Sequence, residues 1–202
     1  TTPLEGRKHT LMADGGPIDA ALMKRLVDVI RNVTHNVSDC KWKGKLRSQA
    51  LGNIYDESGE IAFAFTESDN GALNGSGQFR RLSNRPKPFT GPCVHTRTYS
   101  SDEFAVTLGG RRTADNFEIE FTPGVKSMML QDSCGGRRGT PVAIHPFVPF
   151  SAVMSRPRVP ARDGATKTLH HESPGGAAYG MVTDGTIDIR RADSPEGECR
   201  TC

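Results

Sequence analysis

Arginine is the residue type in this sequence most suggestive of chemistry, because it recurs beside backbone breakers. Gly-Gly-Arg-Arg occurs at 109–112 and again at 135–138, and Arg80-Arg81 and Arg190-Arg191 add two further pairs. Paired glycines let a turn bring backbone amides close to a ligand, and the arginines after them offer forked donors that match carboxylate, sulfate or phosphate. Two proline-rich basic stretches, 84–92 and 156–164, carry Arg85, Lys87, Arg156 and Arg158. Irregular loops of this kind supply contacts more often than strands do. The sequence therefore predicts an anion- or partner-binding rim formed by Arg85, Lys87, Arg111, Arg112, Arg137, Arg138, Arg156 and Arg158. The competing reading is that these arginines keep hairpin turns and sheet edges soluble.

Other chemistry finds less support. His170-His171-Glu172 is the densest run of metal-ligand types, but neighbouring residues on a strand point to opposite faces and no i, i+4 histidine pair exists, so no metal site is expected. Neither a G-x-S-x-G elbow nor a local cysteine-nucleophile signature occurs. Glu118 and Glu120 alternate with Phe117, Ile119 and Phe121 and read as the wet face of a strand rather than as a glycosidase pair. Gly71, Gly75 and Gly77 lack the strand-to-helix context of a dinucleotide loop, so no cofactor is expected. Trp42 could stack on a sugar, yet its alternation with Cys40 assigns it to the core.

The elements that must position these residues are mostly strands. Gly 22 and Pro 13 in 202 residues, with a hydrophobic fraction of 35%, suit short strands separated by turns. Phe, Val, Ile and Thr alternate with polar or small residues from Cys40 onward, most cleanly at 61–65, 104–108 and 117–121. Strands are expected near 40–48, 60–67, 76–83, 93–99, 103–109, 115–121, 126–132, 140–147, 150–155, 166–171, 177–183 and 185–191. Turn signals fall at Glu57-Ser58-Gly59, Asn74-Gly75, Gly109-Gly110, Pro123-Gly124, Asp163-Gly164 and Asp184-Gly185. Ile18, Leu22, Leu26, Val29, Ile30 and Val33 recur at helical spacing behind Pro17, which predicts an amphipathic helix over 17–33. The expected fold is mainly β: an antiparallel β-sandwich or barrel-like meander with one N-terminal amphipathic helix packed on it. It is expected as a single domain over 1–202, with an extended arm at 1–13, a β-rich body at 40–191 and a tail at 193–202.

Cys40, Cys93, Cys134, Cys199 and Cys202 have no zinc-type spacing and are expected to form long-range disulfides, with Cys93 near Cys134 and Cys40 pairing toward the C-terminus. That use of cysteine points to a secreted, periplasmic or cell-surface protein. Sequons at Asn32, Asn36 and Asn74 would accept glycans only in a secreted eukaryotic setting. A net charge of +3 is too small to imply nucleic acid, and no apolar run is long enough to span a membrane. The leading expectation is a non-enzymatic extracytoplasmic domain that binds a protein, an anionic glycan or a small anion, or that takes its place in a surface or envelope assembly. The alternatives are a hydrolase whose site gathers His145, His170, His171 and nearby acids, and a structural subunit of an oligomer or filament.

Overall fold

The computed structural model describes residues 24–25, 40–87, 95–173 and 181–192. The chain divides into two compact units, Thr1–Ser38 and Asp39–Cys202. Of the first, only Lys24 and Arg25 are described, and both are helical and exposed; the rest of the expected helix at 17–33, the arm at 1–13 and the tail at 193–202 lie outside the described residues. The second unit holds β1 (Cys40–Gly52), β2 (Tyr55–Glu67), β3 (Ala72–Pro86), β4 (His95–Tyr99), β5 (Glu103–Arg112), β6 (Asn116–Pro123), β7 (Met128–Cys134), β8 (Arg137–Arg138), β9 (Val142–Ile144), the single-turn helix α1 (Ser151–Met154), β10 (Arg158–Pro160), β11 (Ala165–Ser173) and β12 (Met181–Arg191).

Eight strands form one antiparallel sheet in the order β10-β6-β5-β3-β2-β1-β12-β11. Its two edge strands touch, so the sheet curls into a nearly closed barrel, which is the meander form of the expectation. Closure of this kind removes most of the unpaired edge that an open sheet would expose. A smaller sheet has β7 at its centre, with β4 on one side and β8 and β9 on the other.

The two-residue rhythm decides what fills the barrel. Trp42, Leu46 and Ala50 of β1, Ile61, Phe63 and Phe65 of β2, Phe104, Val106 and Leu108 of β5, and Phe117, Ile119 and Phe121 of β6 all point inward and are buried. Phe65 stacks on Trp42 at 6.2 Å between ring centroids, and the edge of Phe117 meets both rings. These rings have room because glycines face them from the neighbouring strands. Phe63 is paired with Gly44 on β1 and with Gly77 on β3, and Phe65 is paired with Gly75. A Cβ on Gly44 would lie 2.5 Å from the tip of the Phe63 ring, and one on Gly77 would lie 2.5 Å from the Ala62 carbonyl and 2.9 Å from the Phe63 Cβ.

These glycines explain several corrections to the sequence-based strand limits. Glu57-Ser58-Gly59, Asn74-Gly75, Gly109-Gly110 and Asp184-Gly185 lie inside β2, β3, β5 and β12, where their glycines relieve crowding or admit a bulge instead of reversing the chain. The strands are consequently longer than expected, up to the 15 residues of β3, and 185–191 is part of one strand that starts at Met181. The strand expected at 150–155 is α1: Phe147, Phe150, Val153 and Met154 are buried, a spacing of three to four that belongs to turns and helix rather than to a strand. Phe147 and Phe150 pack beside Phe79 and Phe104. The basic loop at 156–164 contains β10, whose Val159 is buried against β6 and whose Pro160 sits at the strand end. The loop at 84–92 begins as the end of β3, with Pro86 opposite Tyr55.

Gly77→Val should therefore cost about 1–3 kcal/mol, read as a lower thermal or urea midpoint. Gly109→Ala, whose Cβ would meet nothing within 4 Å, should change stability by less than about 0.5 kcal/mol. Equal losses from both would contradict the ring-against-glycine packing.

Candidate functional site

The densest group of ionisable side chains lies near one end of β2. Glu57 points inward from β2, Arg81 inward from β3, and Arg97 and Tyr99 reach them from β4. Arg81 Nη1 and Tyr99 Oη both donate to the Glu57 carboxylate at 2.5 Å, and Arg97 Nη1 lies 3.7 Å from it. The Arg81 guanidinium covers the Tyr99 ring and that of Arg97 covers the Tyr55 ring, each at 3.6 Å. Arg97 also bonds Asp132 at 3.1 Å. Burial pushes the Glu57 carboxyl above its ordinary range, against the Tyr99 hydrogen bond and the charges of Arg81 and Arg97. Burial, reinforced by the Glu57 charge, likewise raises the Tyr99 phenol.

A raised carboxyl among arginines and tyrosines is a pattern that acid–base sites use. Access decides against that use here, because the side chains of Glu57 and Arg81 are 0% and 2% exposed. A substrate cannot touch them, and the group ties the small sheet to the barrel. Toward the other end of β2, Glu67 accepts from Trp42 Nε1 at 3.1 Å and from Arg112 Nη1 at 2.8 Å.

The expected arginine rim is dispersed over the molecule. Arg111 and Arg158 flank Glu118 at 2.9 and 2.8 Å on the outer face of β5, β6 and β10, and Arg156 pairs with Glu120 at 2.9 Å. The hydrogen bond from Arg111, with the Arg158 charge, lowers the Glu118 carboxyl. Arg112 binds Glu67 instead of joining that ladder. Arg85 and Lys87 lie at the end of β3, where Lys87 contacts Asp56 at 2.7 Å and donates to the Gly52 carbonyl. Arg137 and Arg138 form exposed β8 on the small sheet. The structure brings together Arg111, Arg156 and Arg158 and separates the rest.

The outer face of β1 carries a feature that the arginine motifs do not announce. Lys41, Lys43, Lys45 and Arg47 alternate with the inward residues of that strand, and Lys43 stands opposite Arg190 of β12. A groove of about 400 Å³ is lined by Lys43, Lys45, Arg47, Thr166, Asp188 and Arg190 among others. On the β2 side Lys43 and Lys45 are paired with Ala64 and Ala62, so small side chains border the lysines. Carboxylates gather toward Arg47, which lies 3.6 Å from Asp188 and 3.9 Å from Glu60, while Lys45 lies 3.2 Å from Glu60. The exposed pair of Arg47 with Asp188 contributes only about 0–1 kcal/mol. The stretch Lys41-Trp42-Lys43-Gly44-Lys45-Leu46-Arg47 shows the row plainly as a period of two in charge, which a search for arginine pairs passes over.

Histidines and cysteines complete the placement of the sequence-derived candidates. His170 of β11 points outward between Asp184, at 2.6 Å from Nδ1, and Glu172, at 3.3 Å from Nε2. Both ring nitrogens are thus within hydrogen-bond range of carboxylates. His171 faces the other side of the same strand, and His145 lies in the turn before Phe147. Among the described residues no group of three His, Cys, Asp or Glu could hold a metal. Cys40, expected to bridge toward the C-terminus, keeps its thiol in the core, because it shares the inward face of β1 with Trp42. Cys134 ends β7 on an exposed position; Cys93, Cys199 and Cys202 lie outside the described residues, as do Asn32 and Asn36. Asn74 is exposed on β3.

No protein-family profile matches this chain, and no curated protein matches it.

The hydrogen bond to Asp184, with that to Glu172, raises the His170 imidazole above the ordinary value. Its contribution to stability is thus complete below a pH of about 6.5 and is lost as pH rises through the raised value. Ring NMR titration should give His170 a midpoint above about 6.5, and Asp184→Asn should bring it down. A midpoint untouched by that substitution would remove the pairing.

Proposed function

We propose that this chain is a non-enzymatic binding module of an extracytoplasmic protein, with the filled barrel as scaffold and the outer face of β2, β1 and β12 as the surface that takes an anionic partner. The observation that carries this reading is the contrast between inside and outside. The interior is occupied by aromatic rings, and its most reactive-looking group, around Glu57, is closed to solvent. Lys43, Lys45, Arg47 and Arg190, by contrast, line a groove between β1, β11 and β12.

The electrostatics favour this face over Arg112 and the ladder of Arg111, Arg156 and Arg158. Glu118, Glu120 and Glu67 already accompany Arg111, Arg158, Arg156 and Arg112. Lys41 and Arg190 have no carboxylate in ion-pair range among the described residues, and Ala62 and Ala64 leave the neighbouring lane low and uncharged. An anion approaching there meets cations without displacing an acid. The compartment is proposed from the cysteine usage of the sequence, five cysteines without zinc-type spacing, which suits oxidising surroundings. The hydrolase alternative finds no comparable support, since His145, His170 and His171 face different surroundings.

Lys41→Glu/Arg190→Glu should lower the salt needed to elute the protein from immobilised dextran sulfate at least two-fold, with the melting temperature nearly unchanged. Arg111→Glu/Arg156→Glu should elute close to the parent protein. The reverse ranking would overturn this assignment and return the site to the arginine ladder.

A further inference from the structure

Four neighbouring strands place side chains in rows that cross the sheet, and the rows are chemically ordered. One runs from Arg190 of β12 through Lys43 of β1 and Ala64 of β2 to Ser76 of β3. The next runs from Asp188 through Lys45 and Ala62 to Gln78, and on the other side Lys41, Thr66 and Asn74 stand side by side. Strands lie about 4.8 Å apart and like-facing residues about 6.7 Å apart along a strand. The face is thus a strip about 14 Å wide from β12 to β3, with Lys41, Lys43, Lys45 and Arg190 beside Asp188 on one margin, a floor of small side chains, and amides and hydroxyls on the other margin.

We infer that this strip binds a linear sulfated polysaccharide lying along β1 and β2, an inference that rests on the anion-binding reading above and names its ligand class. The cationic margin of Lys41, Lys43, Lys45 and Arg190 takes sulfate or carboxylate groups on one side of the chain. Asn74, Ser76, Gln78 and Thr66 supply both donors and acceptors for hydroxyls on the other side. Ala62 and Ala64 are exposed and leave a flat apolar floor for the C–H face of a sugar ring. Glu60 and Asp188 at the far end, beside Lys45 and Arg47, offer acceptors for hydroxyl protons.

Single-stranded nucleic acid suits the strip less well. Sequence-tolerant binding of bases uses exposed aromatic platforms, and the rings of this region, Trp42, Phe63 and Phe65, are all buried inside the barrel.

Calorimetric titration of the full chain with a sulfated uronate octasaccharide, its desulfated counterpart and an oligothymidylate of similar charge tests the inference. The sulfated octasaccharide should bind at least ten-fold tighter than either comparator. Asn74→Ala/Gln78→Ala should weaken it at least five-fold while leaving oligothymidylate unchanged, and Lys41→Gln/Lys45→Gln/Arg190→Gln should weaken it further. If oligothymidylate binds as tightly and the amide substitutions do nothing, the glycan inference falls while the anion-binding face stands. If none of the three binds, both fall.

Discussion

Phe63 fills the gap that Gly44 and Gly77 leave on either side of it, and the rest of the molecule depends on that contact. A ring on the central strand is admitted only because its neighbours in register lack a Cβ. Repeated at Phe65 and Gly75, the same exchange of bulk lets the sheet curl tightly while its interior stays dense. Dense packing then dictates where function can be. Among the described residues the interior is lined by buried rings and aliphatic side chains, which is why the proposed binding surface is the outer face of the same strands.

The polar groups at Glu57 and Glu67 belong to that logic. They stand on one strand ten residues apart, about 33 Å along an extended chain, and both point inward. Arg81 and Tyr99 meet the first, and Arg112 and Trp42 meet the second. Buried ion pairs of this kind add little net stability compared with an apolar filling, but removal of one partner leaves the other charge stranded at a cost of about 3–5 kcal/mol. They fix which strands end beside which, and at Glu57 they also fix the small sheet against the barrel. Their chemistry resembles that of a reaction centre only until solvent access is considered.

Much of this was legible in the sequence where alternation was clean. Ile61, Phe63 and Phe65, Phe104 to Leu108, and Phe117 to Phe121 announce one buried and one wet face each, and Trp42 falls on the inner side as its period requires. Glycine was the main source of error, since Gly59, Gly75, Gly110 and Gly185 signal turns when read locally but lie within strands. Only the register across the sheet reveals that Gly75 faces a phenylalanine. The turn built by Phe147, Phe150 and Met154 was missed for a related reason, as a short apolar run does not declare its period. The site was less legible than the fold. The paired arginines are plain in the sequence, whereas the acids that accompany Arg111, Arg112, Arg156 and Arg158 come from other strands.

The most direct measurement is whether the barrel interior accepts a small apolar guest. Methyl NMR of the protein titrated with xenon or benzene should show no shift at Leu46, Ile61, Val106 or Ile187, all of which face the ring-filled core. Saturable shifts at those methyls would reveal a vacant interior that binds ligands, and the assignment of function to the outer face would then be wrong.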